Sequence, residues 1–113
     1  MTNPDPSATS NLEARLAELA AALPDVRTSP GGAGRAWSLG GVEFAIVGPL
    51  GVELRLDPAV AAAATRTSDV EPSPRGPEWV RFNPRELEGY DLDRLEAWFA
   101  LAHRRATSTG PSG

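Results

Sequence analysis

The chain of 113 residues contains neither cysteine nor lysine, and its single histidine is His103. Without cysteine there are no disulfides, no thiolate nucleophiles and no cysteine-bound zinc sites. Without lysine there is no Schiff-base chemistry and no phosphate-binding loop of the Gly-Lys type. One histidine cannot form a cluster of metal-ligating histidines. The composition therefore predicts a domain held by packing, with no metal and no cofactor.

Long apolar runs and an excess of positive charge are also missing. The longest apolar run is AVAAAA at residues 59–64, far too short to cross a membrane, and the first ten residues lack the pattern of a signal peptide. We therefore expect a cytoplasmic protein with no membrane partner. The formal net charge is −4 and the arginines are scattered among acidic residues, which argues against nucleic acid as a partner.

Two helices are predicted at the ends of one domain. Proline, serine and threonine at the termini predict disordered tails at residues 1–9 and 107–113, and a single domain at residues 10–106. Ser10 and Glu13 match a helix-capping box, and Asp91 is a candidate N-cap for the last helix. Apolar residues at helical spacing predict the inward faces: Leu12, Leu16, Leu19 and Leu23 in the first helix, and Leu92, Leu95, Phe99 and Ala102 in the last.

The middle of the chain has the pattern of strands. A hairpin is predicted around Gly40 and Gly41, with Val42, Phe44 and Ile46 on one side of its second strand. VELRLD (residues 52–57) alternates strictly, and WVRF (residues 79–82) places Val80 and Phe82 opposite Trp79 and Arg81. Between these two strands, Asp57 and Pro58 predict the start of a short alanine helix. We therefore expect an α+β domain: an antiparallel sheet of about four strands with N- and C-terminal helices packed on one face.

One group of residues is a candidate binding site. If Val80 and Phe82 face the core, Trp79 and Arg81 lie on the other face, near Arg55 and near Arg75 of the long connection at residues 65–78. Such a corner suits a carboxylate, a phosphate or an acidic loop of a partner. The alternative is structural: Trp79 is buried by the C-terminal helix or covered by the long connection, and Arg81 is paired to Glu43, Glu53 or Glu78.

Catalytic residues are not indicated by any pattern in the sequence. His103 has no serine, threonine or cysteine beside it in the sequence to activate. The acidic residues near the last helix do not have the spacing of a calcium loop, and we expect a solvated face there: Glu86, Glu88, Asp91 and Asp93.

Several segments resemble the MmcQ/YjbR-like family. They are Leu23-Pro24 with Val26 at the end of the first helix, then LGGVEFA (39–45), VELRLDP (52–58), WVRF (79–82) and a closing helix. The order is similar also to a group of small bacterial proteins that carry a luciferase-domain label. That group has a histidine after the glycine pair, where this chain reads AIVGPLG. The resemblance covers roughly residues 12–105 and implies a small α+β domain without established catalytic residues; some members carry a DNA-binding label.

Three functions follow as hypotheses. The first is a non-catalytic binding module for a protein partner, or for a second copy of the chain, that uses Arg75, Trp79 and Arg81. The second is a domain or enzyme that binds a small anionic ligand at the same corner. The third, weaker hypothesis is nucleic-acid binding, which the acidic balance of the chain does not favour.

Overall fold

The chain has an α+β fold in a computed structural model that describes residues 6–31, 34–48, 51–67, 69–84 and 89–109. Within these residues, six strands form one antiparallel sheet with three helices. The helices are α1 (Pro6–Ala21), α2 (Pro58–Ala64) and α3 (Tyr90–Thr109). The strands are β1 (Val26–Gly31), β2 (Gly34–Leu39), β3 (Val42–Gly48), β4 (Gly51–Arg55), β5 (Val70–Pro72) and β6 (Trp79–Phe82). Their order across the sheet is β1-β2-β3-β4-β6-β5.

The sheet has two strands more than the sequence predicted, and both lie at its borders. β1 reads VRTSPG and β5 only VEP, so neither shows the apolar alternation that marks a half-buried strand. Each also contains a proline, Pro30 or Pro72, which a border strand tolerates because one of its sides needs no hydrogen bonds. The long connection at residues 65–78 therefore holds β5 and is not a single loop.

A single hydrophobic core lies between the sheet and the helices. β4 alternates as predicted, with Val52 and Leu54 buried in the core. Val80 and Phe82 of the neighbouring β6 extend the same surface, because they pair with Leu54 and Val52. The core also takes residues from all three helices: Leu12, Leu16 and Ala20 of α1, Ala61 and Ala64 of α2, and Leu95, Phe99, Ala102 and Ala106 of α3. The predicted placement of both terminal helices on one face is thus found.

A β-bulge changes the predicted orientation of β3. The register of β2 and β3 shifts between Trp37 and Ser38, which leaves Phe44 as the extra residue. Phe44 therefore points into the core and meets Phe99 edge to face at 5.4 Å. Ile46 pairs with Ala36 and Glu53; it is buried, but it lies outside the cluster of core residues that contains Phe44. The prediction that Phe44 and Ile46 share one side was wrong, since the bulge breaks the two-residue repeat between them.

The ends of the helices differ from the predicted caps. α1 begins at Pro6, so residues 6–9 of the expected tail are helical and Ser10 lies inside the helix. Proline is tolerated in a first turn because its missing N–H has no intrahelical partner there. α3 begins at Tyr90 and reaches Thr109, and the Gly89 carbonyl accepts the N–H of Asp93, so Asp91 lies within the first turn. The helical turn expected after Asn83 involves residues 85–88, outside the described residues.

α2 begins as predicted but without a side-chain cap. Pro58 occupies its first turn, and the Asp57 carbonyl accepts the N–H of Ala61 at 2.7 Å. The Asp57 carboxylate makes no capping hydrogen bond and instead pairs with Arg105 of α3. This pair ties the start of α2 to the last part of α3.

Arg94 of α3 is a buried charge that the sequence did not reveal. Its side chain is 8% exposed, and its guanidinium donates to Thr67 at 3.0 Å and pairs with Asp91. The guanidinium carbon also lies 4.7 Å from the ring centre of Phe82. These contacts join α3 to the end of α2 and to β6, so Arg94 has a structural role.

Candidate functional site

The predicted site residues lie on the face of the sheet opposite the core. Trp79 and Arg81 of β6 are half-buried, and they pair across the strands with Arg55 and Glu53 of β4. Arg75 reaches the same face from the turn between β5 and β6. We call Arg55, Arg75, Trp79 and Arg81 the Trp79 corner; the structure brings all four together.

Glu53 lies at the centre of the first of two ion-pair networks. Its carboxylate accepts a hydrogen bond from the Ser73 hydroxyl and another from Arg75 Nε at 2.8 Å. The Arg81 guanidinium lies between two carboxylates: its Nη2 is 3.7 Å from Glu53 Oε2, and its Nη1 is 3.6 Å from Glu71 Oε2. Only 14% of the Glu53 side chain is exposed, so the carboxylate has lost most of its contact with water. The hydrogen bonds and ion pairs with its partners compensate this loss. The network fixes the turn after β5 onto the sheet.

The surroundings of Glu53 favour its charged form. Burial by itself would raise the pKa of the carboxyl group. Hydrogen bonds from Ser73 and Arg75, together with the charges of Arg75 and Arg81, outweigh burial and hold the pKa of Glu53 below its ordinary value. Glu53 is therefore ionised near neutral pH and compensates the arginines that flank it.

Glu78, directly before the start of β6, joins a second network. It accepts hydrogen bonds from Arg105 at 2.6 Å and from Arg55 at 3.0 Å. Asp57 completes the network through Arg105. The hydrogen bond from Arg105 is the main cause that lowers the pKa of Glu78, and the same bond raises the pKa of Arg105. Arg55 of the Trp79 corner thus has a carboxylate partner of its own.

Trp79 borders an open groove of about 300 Å³. We call this depression the Trp79 groove; its lining residues are Val42, Glu43, Arg55, Arg75, Gly76, Pro77, Glu78 and Trp79. Trp79 is only half-buried, and the guanidinium carbon of Arg75 lies 5.6 Å from its ring centre. The indole is outside the hydrophobic core, so Trp79 is not buried by the C-terminal helix. The other part of that structural alternative, an ion pair between Arg81 and Glu53, is found.

Glu43 contributes the remaining charge of the Trp79 groove. It is exposed, and none of the described residues forms a hydrogen bond or an ion pair with its side chain. Ser38 of β2 is its partner across the bulged strand pair. Sequence reasoning named Glu43 only as a possible partner of Arg81, because the register that puts it beside Trp79 depends on the bulge at Phe44.

His103 does not have the surroundings of an acid–base catalyst. It is half-buried on α3, its ring lies edge to face with Phe44 at 5.8 Å, and its buried Nε2 has no hydrogen-bond partner among the described residues.

The described parts of the chain do not contain a group of three or more acidic or histidine side chains that could hold a metal ion. The described helices include none that combines the length and hydropathy needed to cross a membrane.

Comparison of the chain with protein-family models, with curated proteins and with solved structures finds no match. The resemblance to the MmcQ/YjbR-like family therefore stays a prediction, carried by the segments quoted in the sequence analysis. Function has to be argued from the residues of the Trp79 groove themselves.

Proposed function

We propose that this chain is a non-catalytic binding domain that recognises a protein partner through the Trp79 groove. The observation that carries the proposal is a half-buried indole outside the core, beside an open depression on the face away from the core. Tryptophan is enriched among the residues that dominate protein–protein binding energy, because it offers a large apolar surface and a polar N–H. Open grooves of this kind suit a segment of polypeptide.

The hydrogen bonds and ion pairs around the groove support the same function. Ser73 and Arg75 hold the turn before Trp79 against Glu53, and Glu78, which directly precedes Trp79, is held by Arg55 and Arg105. A surface whose side chains are fixed before binding loses less conformational entropy when the partner arrives. The two ion-pair networks therefore act as supports for the groove.

An anionic ligand is a poorer fit to the same residues. Arg55 is paired with Glu78, Arg75 with Glu53, and Arg81 lies between two carboxylates. A phosphate or carboxylate would have to replace these partners, and Glu53 would then be left partly buried without compensation. The same pairing reduces the positive charge available to the backbone of a nucleic acid.

The proposal can be tested by selecting binders and examining their dependence on Trp79. A phage-displayed library of random dodecapeptides is selected on the wild-type protein, and each binder is then measured against Trp79→Ala by fluorescence anisotropy. We expect peptides that lose at least tenfold in affinity on Trp79→Ala, as expected for an interface residue that contributes most of the binding energy. Tyr90→Ala serves as the matched control because Tyr90 is an exposed aromatic residue, 69% accessible, on the helical side of the domain.

Folding of both variants is checked by circular dichroism and urea unfolding. If Trp79→Ala unfolds, Trp79→Leu, which keeps an apolar side chain, is measured in its place. A selection that yields no peptide sensitive to position 79 would overturn the proposal. A self-associating chain would be recognised by light scattering, as a dimer that Trp79→Ala dissociates and Tyr90→Ala does not.

A further inference from the structure

Among the described residues, one carboxylate beside the Trp79 groove has no cationic partner. The first network contains Glu53, Glu71, Arg75 and Arg81, two negative and two positive side chains. The second contains Arg55, Glu78, Arg105 and Asp57, again two of each sign. The described members of each network thus balance in charge, and Glu43 is the one charged residue outside them among the described residues that line the groove.

Apolar surface lies beside this carboxylate. Val42, Pro77 and the Trp79 indole line the groove together with Glu43. Such a site offers packing for an aliphatic stem and a negative charge for the group at its end. The side chains that combine these two parts are those of arginine and lysine, which bury their stems and keep their charged heads at the surface.

We propose that the Trp79 groove recognises a partner segment by an arginine side chain whose guanidinium pairs with Glu43 and whose stem packs on Trp79. Charge complementarity supports a cationic segment, since the groove has a surplus negative charge and the whole chain has a net charge of −4. Arginine fits better than lysine because its planar fork can form two parallel hydrogen bonds to a carboxylate and can stack on an aromatic ring.

This inference rests on the proposed function and names the chemistry of the partner. The experiment uses the peptides whose binding depends on Trp79. Each is synthesised again with its arginines replaced by citrulline, which has the shape of arginine without the charge. Both forms are titrated against wild type, Glu43→Gln and Glu18→Gln. Glu18 is the control because it is an exposed glutamate on α1, distant in sequence and outside the groove lining.

We expect the peptides sensitive to Trp79 to contain arginine. Replacing arginine by citrulline in the peptide should weaken its binding to the wild-type protein about tenfold. Glu43→Gln should weaken binding of the arginine peptide by a similar factor. A tenfold loss of affinity corresponds to the loss of about one charge-assisted hydrogen bond. Glu43→Gln should not weaken the citrulline form further, since the two changes remove the same interaction. Glu18→Gln should bind like wild type.

The possible failures of the two proposals are distinct. Peptides that depend on Trp79 but are neutral or acidic, or that bind Glu43→Gln as tightly as wild type, would overturn the arginine inference and leave the binding function standing. Equal losses on Glu43→Gln and Glu18→Gln would mean that general electrostatics, and not a pair at Glu43, attracts the peptides, and this too would overturn the inference. The absence of any peptide that depends on Trp79 would remove the binding function itself.

Discussion

Replacing Glu53 by glutamine should destabilise the fold, and the loss should depend on pH. Glutamine keeps the size of the side chain but has no negative charge and only one oxygen that accepts, whereas Glu53 accepts from Ser73 and from Arg75 with two different oxygens. One of the two bonds is therefore lost or reversed and the other loses its anionic acceptor, each at a cost of about 1 kcal/mol. Removal of the carboxylate also leaves Arg75 and Arg81 less compensated, but both are partly solvated. We therefore expect a loss of about 2 kcal/mol in the free energy of unfolding at pH 7.

The pH dependence follows from the lowered pKa of Glu53. A carboxyl group whose pKa is lower in the folded than in the unfolded state adds stability above its unfolded pKa, about 4.3 for glutamate, and this stability is lost as the pH falls through the folded pKa. Wild type and Glu53→Gln should therefore differ most at pH 7 and converge at acid pH. Glu78, whose pKa is also lowered, is present in both proteins and cancels in the comparison.

Urea unfolding followed by tryptophan fluorescence at pH 7 and at about pH 3.5 measures both effects. Glu18→Gln is the matched control, because Glu18 forms an exposed pair with Arg15 on α1 and should contribute less than about 0.5 kcal/mol. A difference between wild type and Glu53→Gln that is the same at both pH values, or that is no larger than the control at pH 7, would refute this account of the Glu53 network.

Three further changes have defined expected results in thermal and urea unfolding. Phe99→Ala removes a ring that is 1% exposed in the core and should cost about 3–5 kcal/mol; a loss below about 1 kcal/mol would mean that the core is packed differently. Gly34→Ala would place a Cβ 1.8 Å from the Val47 carbonyl oxygen, so the variant should melt well below wild type, and an unchanged melting temperature would contradict the pairing of β2 and β3. Glu78→Gln should lower the free energy of unfolding at pH 7 by less than Glu53→Gln does. The reason is that the Glu78 side chain, whose pKa is lowered mainly by the hydrogen bond from Arg105, is more exposed to water than that of Glu53. A larger loss for Glu78→Gln would argue against this ranking.

The parts of the fold that follow a regular repeat could be predicted from the sequence. Leu12 and Leu16 of α1, Leu95, Phe99 and Ala102 of α3, and the alternation of β4 and β6 have the predicted burial. Leu19 and Leu23 are only partly buried, and Leu92 lies outside the core cluster. β1 and β5 could not be predicted, since border strands need little apolar surface and these two contain prolines. The bulge at Phe44 was missed for a related reason: an extra residue leaves no mark in a strand that is apolar on both sides.

The Trp79 corner was predicted as a set of residues, and a pair between Arg81 and Glu53 was one of the predicted alternatives, but the two ion-pair networks were not predicted. The alternation of WVRF was enough to place Trp79 and Arg81 away from the core. The partners of these residues depend on the register between β4 and β6, which brings Glu53 opposite Arg81, and on the fold of the turn that carries Ser73. Such partners come from distant parts of the chain, and a single sequence does not specify them.

The prolines at the two borders of the sheet limit how copies of this chain can join. Pro30 and Pro72 each remove a backbone N–H from an outermost strand, and those strands are the places where a neighbouring molecule could add a strand and extend the ladder. Fibres built by strand addition are therefore disfavoured at both ends of the sheet.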